Sequence, residues 1–352
     1  MHAIILAGGY AQRLSPLTKS IPKPLLHIAG RPVISFLLDK VTKVPSLSEI
    51  VMVTDNRFAE AFDTFAESVG GMYSTPLSVS YHKPDGDALK GPLAKVKELL
   101  AERDDYRGGD YLLIGGDNVF GSDLSSFCNF YYERQRVPCI AIHERPEAGD
   151  ASDYGVPRWD PSGRVAAIVE KPSESSEEMV STACYCLSYE DLYLVLEYLD
   201  AGRPDNLGSF VSYVANKKGA INPFKFREPW FDIGTRCGLL DANRFLISNV
   251  RHEVALGRSR VKPPVFLERG VTIEDSEIGP HVYIRRGTVI SKSKILNSVV
   301  YENCRVESSH MAHTIVGPAS KIKGDVVEAT IGPGTEIAFE GHGRQLVPGV
   351  KQ

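Results

Sequence analysis

The sequence predicts an α/β domain built on a mixed, mostly parallel sheet, followed by a short hexapeptide-repeat parallel β-helix. Three observations carry that prediction. Through the first 250 residues, short apolar runs alternate with longer helical patterns, the signature of strands covered by helices on both faces. Beyond about residue 255 the helical runs stop and single aliphatic residues return at short intervals between turn residues, as in stacked coils. A chain of 352 residues at 43% apolar and 24% charged has enough material for two or three buried cores and is neither disordered nor membrane-like. The division expected is residues 1–255 and residues 256–352.

In the first part, strands are expected at residues 3–7, 50–54, 77–81, 111–115 and 139–143, all short apolar runs of the kind buried on both faces. Pro32 stands where a proline opens a helix, and Val33, Ile34, Leu37, Leu38 and Val41 then give one apolar stripe. Similar patterns predict helices at 57–69, 92–103 and 124–136. Later strands (165–170, 183–188, 223–227) and helices (190–199, 210–217, 236–248) extend the same domain.

In the second part, Ile278, Ile284, Ile290 and Leu296 are spaced by six, and the series loosens through Val306, Val316, Ile322, Ile331 and Ile337. Gly279-Pro280, Gly287, Gly317-Pro318 and Gly332-Pro333-Gly334 punctuate it. About four or five coils are expected from this length; an irregular β-sandwich is the alternative.

Composition narrows the function. Forty basic against 44 acidic residues, net −4, supply no broad positive field of the kind nucleic-acid binding uses. The opening Met1-His2-Ala3-Ile4-Ile5-Leu6-Ala7 lacks a basic leader and is too short for a span of about 18 apolar residues, so no membrane partner and a cytoplasmic location are expected. The cysteines at 128, 139, 184, 186, 237 and 304 include no C-x-x-C pair, which argues against zinc and against a disulfide framework.

The first strand runs into Leu6-Ala7-Gly8-Gly9-Tyr10-Ala11-Gln12-Arg13. Glycines there either make a plain turn or let the backbone approach a phosphate, and Arg13 carries a forked guanidinium suited to polyphosphate. The spacing is neither a Walker loop nor a dinucleotide fingerprint. Pro22 and Pro24 bracket Lys23, fixing the backbone around it more than a surface lysine needs. Asp117, in Gly116-Asp117-Asn118, follows a predicted strand end; alone, such an aspartate is more often a turn former than a metal ligand.

Residues 8–25, read as G-G-x-x-x-R-L-x-P-L-T-x-x-x-P-K-P-L, resemble the signature of sugar-1-phosphate nucleotidylyltransferases. Gly116-Asp117-Asn118-x-Phe120 resembles the G-D-N-x-F seen in glucose-1-phosphate thymidylyltransferases. Tyr154-Gly155-Val156, Glu170-Lys171-Pro172 and Trp230-Phe231-Asp232-Ile233-Gly234-Thr235 are similar to that family's Y-G-V, E-K-P and W-x-D-I-G-T segments, in the family's order. The resemblance implies a Rossmann-like domain with a left-handed β-helix tail. It also implies attack of a sugar-1-phosphate oxygen on the α-phosphorus of a nucleoside triphosphate, dTTP or UTP with glucose-1-phosphate being favoured, and release of pyrophosphate. By that resemblance Leu6, Ala7, Gly8, Gly9 and Gly91 contact the nucleotide, and Arg13 and Lys23 hold the triphosphate. Asp117 and Asp232 bind Mg²⁺, while Tyr154, Gly155, Glu170 and Lys171 hold the sugar phosphate. A homo-oligomer is also expected.

Base recognition departs from the pattern. The family's glutamine is missing from Tyr81-His82-Lys83-Pro84-Asp85-Gly86, Gly91-Pro92-Leu93 stands in place of G-T-A, and Ala11 and Gln12 replace a common Gly-Thr. Asp205-Asn206-x-Gly208-Ser209-Phe210 resembles a D-x-x-G-x-F variant of the later sugar region. Two other readings stay open: a catalytically silent relative that senses a nucleotide sugar or scaffolds a partner, and an added acyltransferase in the β-helix using His310, with His313 nearby, as a general base.

Overall fold

The structure is a computed structural model describing residues 1–8, 12–82, 91–146, 149–250 and 258–338. The chain forms two compact units, Met1–Gly9 with Ile34–Trp230, and Tyr10–Val33 with Phe231–Gln352. Compactness therefore divides the chain elsewhere than the change of sequence pattern near residue 255, which itself lies outside the described residues. The segment carrying Arg13 and Lys23 belongs with the C-terminal repeats.

The first unit is organised by a seven-stranded sheet. Its strands are β1 (His2–Leu6), β2 (Glu49–Asp55), β3 (Leu77–His82), β4 (Asp110–Gly115), β5 (Cys139–Glu144), β6 (Met179–Ser188) and β7 (Asn222–Lys225). They lie in the order β7-β5-β6-β4-β1-β2-β3. β1 pairs in parallel with β2 and β4, β2 with β3, and β5 with β7. β6 runs antiparallel to both β4 and β5, so the sheet is mixed and mostly parallel, as expected. Ala3, Ile4 and Ile5 are completely buried, which is why β1 reads as an unbroken apolar run. Helices α1 (Val33–Val41), α2 (Ala59–Val69), α3 (Pro92–Glu102), α4 (Leu124–Glu133), α5 (Tyr189–Asp200) and α6 (Leu207–Lys218) fall where their apolar stripes put them. Asn206 caps α6 by accepting from the Ser209 N–H, and Gly219 ends it in the left-handed region. One strand expectation needs correction: Val165–Glu170 is not in the main sheet but pairs antiparallel with Gly155–Trp159. Val165 and Ile168 are buried while the residues between them are half-buried and Glu170 is exposed, which suits a ribbon covered on one face.

The second unit holds α7 (Arg236–Ile247) and the β-helix, three five-stranded parallel sheets. Val265 pairs with Val282, and Val282 with Ser298, so each coil stacks on the last in continuous register. The predicted inward residues Ile278, Ile284, Ile290, Val306, Val316, Ile322 and Ile331 form one buried core. Ile337 is partly buried and packs against that core, whereas Leu296 departs from the series. Only two residues separate the strands Val289–Ser291 and Lys294–Leu296, and this short corner turns Ile295 inward while Leu296 is half-buried. Non-glycine residues with positive φ, including His281, Asn297 and His313, sit at the corners. All six cysteines are free thiols, five of them buried, and Cys184 and Cys186 face the core together. Among the described residues no helix is long and apolar enough to cross a membrane.

Candidate active site

In the first unit the C-terminal ends of the central strands meet, the usual ligand edge of an α/β sheet. Leu6 accepts a hydrogen bond from the Gly116 N–H (2.9 Å), and the Ala7 N–H donates to the Val53 carbonyl (2.8 Å). A Cβ on Gly116 would lie 3.1 Å from the Leu6 carbonyl and 3.4 Å from Ala7 Cα, so a glycine is what lets this turn lie against the end of β1. The next residue, Asp117, is thereby set beside Leu6 and Ala7. The Asn118 amide donates to the Gly115 carbonyl (3.0 Å) and reaches Asp117 Oδ1 at 3.4 Å, and Trp230 Nε1 donates to Asn118 Oδ1 (2.8 Å). Trp230 thus packs, as the sequence implies, and also pins the asparagine that steadies Asp117.

Gly8 has a role that sequence alone does not expose. The position of its absent Cβ is filled by the ammonium of Lys95, which pairs with Asp55 Oδ1 at 2.7 Å. Lys95 is 4% exposed, and burying an ammonium is costly unless it is paired. Gly91 starts α3, but the free amides of that helix end, Leu93 N and Ala94 N, donate to the Asp205 carboxylate at 2.8 and 3.2 Å. Asp205, read from sequence as part of a sugar-site segment, is a helix cap here. Gly9, like Ala11, Lys83 and Gly86, lies outside the described residues.

A second group of residues gathers around Glu170. Gly155 and Glu170 are paired across the ribbon, and the Lys171 N–H donates to the Tyr154 carbonyl (2.9 Å). A Cβ on Gly155 would meet Ile168 at 2.8 Å and Glu170 Oε2 at 3.5 Å, and one on Gly208 would run into Oε2 itself. Although Glu170 borders solvent, its carboxylate is crowded by these groups. Loss of hydration raises its pKa, and the Lys171 charge and the Gly208 N–H oppose that rise. Lys171 adopts a left-handed φ of 45°, uncommon for a side-chain-bearing residue and a mark of a constrained turn. Tyr154 stacks obliquely on Trp230, centroids 5.7 Å apart.

The second unit holds Arg13, Lys23 and Asp232. Arg13 is exposed on a single helical turn, Gln12–Leu14. Lys23 opens another short turn, Lys23–Leu25, behind Pro22. Its ammonium lies 3.0 Å from Asp232 Oδ1, which also accepts from the Gly234 N–H at 2.7 Å. The triphosphate lysine and the metal carboxylate implied by the resemblance are therefore paired with each other in this state.

A family model for nucleotidyl transferases matches residues 2–249. The chain belongs to the nucleotidyl transferase family. Among similar proteins, the bifunctional protein GlmU of Methanococcus aeolicus is 27% identical over 331 residues, 93% of this chain and 73% of that one. Mannose-1-phosphate guanyltransferase beta-B of Xenopus laevis is 26% identical over 72% of this chain and 66% of its own length. The UTP–glucose-1-phosphate uridylyltransferase of Synechocystis is 26% identical over 76% of this chain and 68% of its own. A Bacillus anthracis structure, a candidate glucose-1-phosphate thymidylyltransferase, shares the fold with a TM-score of 0.59 at 21% identity, covering 73% of this chain and 97% of that one.

For this nucleotidyl transferase, the first unit brings together Leu6, Ala7, Gly8 and Asp117 at the strand ends, and Tyr154, Gly155, Glu170 and Lys171 around the ribbon. The second brings together Lys23 and Asp232. Sequence reasoning missed Lys95, Asp55 and the support from Asn118. A signal for Lys95 was present: it lies four residues before Leu99, on the core-facing stripe of α3 with Leu93, Val96 and Leu100, where an unpaired lysine would not be stable.

Proposed function

We propose that the protein transfers a nucleotidyl group from a nucleoside triphosphate, dTTP or UTP being favoured, to a sugar-1-phosphate, glucose-1-phosphate being favoured, with release of pyrophosphate. The observation that carries this reading is the glycine turn at Gly116, which lies against Leu6 and Ala7 at the end of β1 and leads directly into Asp117. The crowded carboxylate of Glu170 beside Gly155 and Gly208 suits a sugar hydroxyl, which would donate to it. Lys171 would then neutralise the sugar phosphate. Arg13 and Lys23 would bind the triphosphate and take up the negative charge that moves onto the leaving pyrophosphate. Backbone amides around Gly8 would orient the α-phosphate so that the sugar-phosphate oxygen attacks in line. To meet the triphosphate Lys23 would exchange part of its contact with Asp232 for phosphate oxygens.

Asp117 and Asp232 offer hard carboxylate oxygens, the donor type that suits Mg²⁺ when substrate phosphates complete the shell. Each has one oxygen already steadied, by the Asn118 amide and by Gly234 with Lys23. The cation would supply charge neutralisation on the phosphates. We also propose a homo-oligomer built through the β-helix.

A matrix of five nucleoside triphosphates against several sugar-1-phosphates, read by pyrophosphate release with and without magnesium, tests the reaction, both substrates and the cation at once, and the mass of the particle in solution tests the oligomer. Release that depends on both substrates and on magnesium is expected, strongest with dTTP or UTP. Absence of release from every pair would overturn the reading and favour a silent nucleotide-sugar sensor.

One observation favours a second activity: His310 Nδ1 sits 3.1 Å from Asp325 Oδ1 on the β-helix, which would orient an imidazole as a base for acyl transfer. Consumption of acetyl-CoA in the presence of a sugar-1-phosphate, lost in His310→Ala, would support it, and no consumption in the native protein would dismiss it.

A further inference from the structure

One face of the β-helix differs from the other two. The strands Val282–Ile284, Ser298–Val300 and Ile315–Val316 point Ile284, Val300 and Val316 into the helix core. Their alternate residues Tyr283, Val299 and Ile315 face outward, yet each is fully buried. On the other faces, Lys294, Arg305, His310, Lys321 and Val327 are exposed. The first face is covered, and the segment carrying Lys23 is part of the cover.

That segment continues from Lys23 into a tight hairpin, His27–Ile28 pairing with Arg31–Pro32. At its tip Gly30 has φ +86°, and a Cβ there would lie 2.6 Å from the ring of Phe266, which belongs to the first coil of this face. The His27 carbonyl accepts a hydrogen bond from Tyr301 Oη at 3.1 Å. On the other side the Ala29 N–H donates to Asn243 Oδ1 of α7 at 3.1 Å, and Asn243 is completely buried. α7 is in turn capped by Thr235, three residues beyond Asp232, and Arg236 in its first turn bonds the Glu328 carbonyl of the β-helix. The Leu26 N–H bonds the Lys23 carbonyl (3.1 Å) and the Val33 N–H the Leu26 carbonyl (2.9 Å), so little slack separates Lys23 from the hairpin. The contacts form a closed circuit: Lys23 to Asp232, Asp232 along the chain to α7, α7 through Asn243 to the hairpin, and the hairpin back to Lys23.

We propose that the β-helix is part of the machinery of nucleotidyl transfer, with Phe266 and Tyr301 as positioning residues that hold the Lys23 and Asp232 pair in place. The inference rests on the proposed reaction for its kinetic consequence and on this circuit for its structural one. A reaction governed by in-line geometry is sensitive to displacement of its charged groups, with a shift of about 1 Å able to cost up to ~10²-fold.

The test uses the full chain and whichever substrate pair the native protein turns over best. Phe266→Ala is expected to lower kcat by about 10- to 10²-fold, with the KM for the sugar-1-phosphate changed by less than about twofold, because Glu170 and Tyr154 belong to the other unit. Tyr301→Phe should lower kcat in the same sense by less, and Phe266→Leu, which keeps most of the volume, should restore most of the loss. Ile295→Val, a truncation inside the β-helix away from the covered face, should leave kcat unchanged. Hydrogen exchange gives a readout independent of activity: the Leu26 and Val33 amides should exchange faster in Phe266→Ala. Unchanged kcat in Phe266→Ala and Tyr301→Phe would overturn the proposal, and so would an equal fall in Ile295→Val. If the native protein turns over no substrate pair, the proposed reaction fails by itself; the exchange experiment then decides the positioning claim, and unchanged protection would overturn it.

Discussion

The sheet unit and the β-helix unit hold their functional residues by different means. In the sheet unit the site is made by backbone approach: Gly116 lets a turn lie on Leu6 and Ala7, and Gly155 and Gly208 leave room for a carboxylate. In the β-helix unit it is made by side chains, with Lys23 fixed by Asp232 and its hairpin fixed by Phe266, Tyr301 and Asn243. The first arrangement is rigid because strand ends and turns share hydrogen bonds. The second is rigid only while several distant contacts persist together.

The largest effect is expected at the best-supported turn. Asp117→Ala should lower pyrophosphate release by at least ~10³-fold, about 4 kcal/mol in barrier, while circular dichroism and melting stay near native. The Asn118 bonds to Gly115 and Trp230 survive the substitution, so the turn keeps its shape. Retained turnover would show that the sheet unit contributes substrate binding without the decisive charge.

Next comes the ion pair beneath Gly8. Lys95→Met leaves Asp55, which is largely buried, without its ammonium partner, at a cost of about 3 kcal/mol. Asp55→Asn combined with Lys95→Met should recover most of that loss, since replacing both members of a buried pair is often near neutral. Urea unfolding of the two single variants and the double variant measures the coupling. Additive losses would mean that Lys95 merely fills the space that Gly8 leaves open.

The β-helix unit carries its own pH sensitivity at His27, whose pKa is lowered from 6.5 to about 4 by burial first and by Arg285 second, with Glu268 opposing. Its Nδ1 is a buried atom without a hydrogen-bond partner among the described residues. Between pH 6.5 and about 4 the unfolded chain binds the proton and the folded chain does not. Stability is therefore full above about pH 6.5 and falls as the pH drops toward 4, by up to about 3 kcal/mol. Urea midpoints measured from pH 7 to 4.5 should show this decline, and His27→Gln should flatten it. An identical slope in the variant would assign the acid sensitivity to other groups.

How far the sequence reveals each unit follows from the same contrast. Helix stripes and doubly buried strands are local patterns, so α1 and the central strands are legible residue by residue. The G-D-N and E-K-P segments are legible because glycine and proline mark turns. Asp205 capping α3 is not, since the partners are more than a hundred residues apart and any carboxylate could have been the cap. Nor does spacing reveal that the hairpin after Lys23 rests against a β-helix, because its contacts with Phe266, Tyr301 and Asn243 are long-range. Within the β-helix the six-residue spacing holds only while corners keep equal length, and it breaks at the two-residue corner that recurs before Glu277, Lys294, His310 and Val326.

That slip yields the smallest prediction and the sharpest check on the register. A strict period of six makes Leu296 the inward residue, whereas the paired strands put Ile295 in the core and stack it between Ile278 and Met311. Ile295→Val removes one buried methyl group and should cost about 1 kcal/mol. Leu296→Val, at a half-buried position beside it, should cost less than about 0.5 kcal/mol. Because one residue of slip exchanges the inner and outer faces of a strand, a reversed order of the two losses in urea unfolding would restore the strict repeat. It would also require the serine ladder, in which the Ser293 and Ser309 amides donate to the side-chain oxygens of Ser276 and Ser293 one coil earlier, to shift with it.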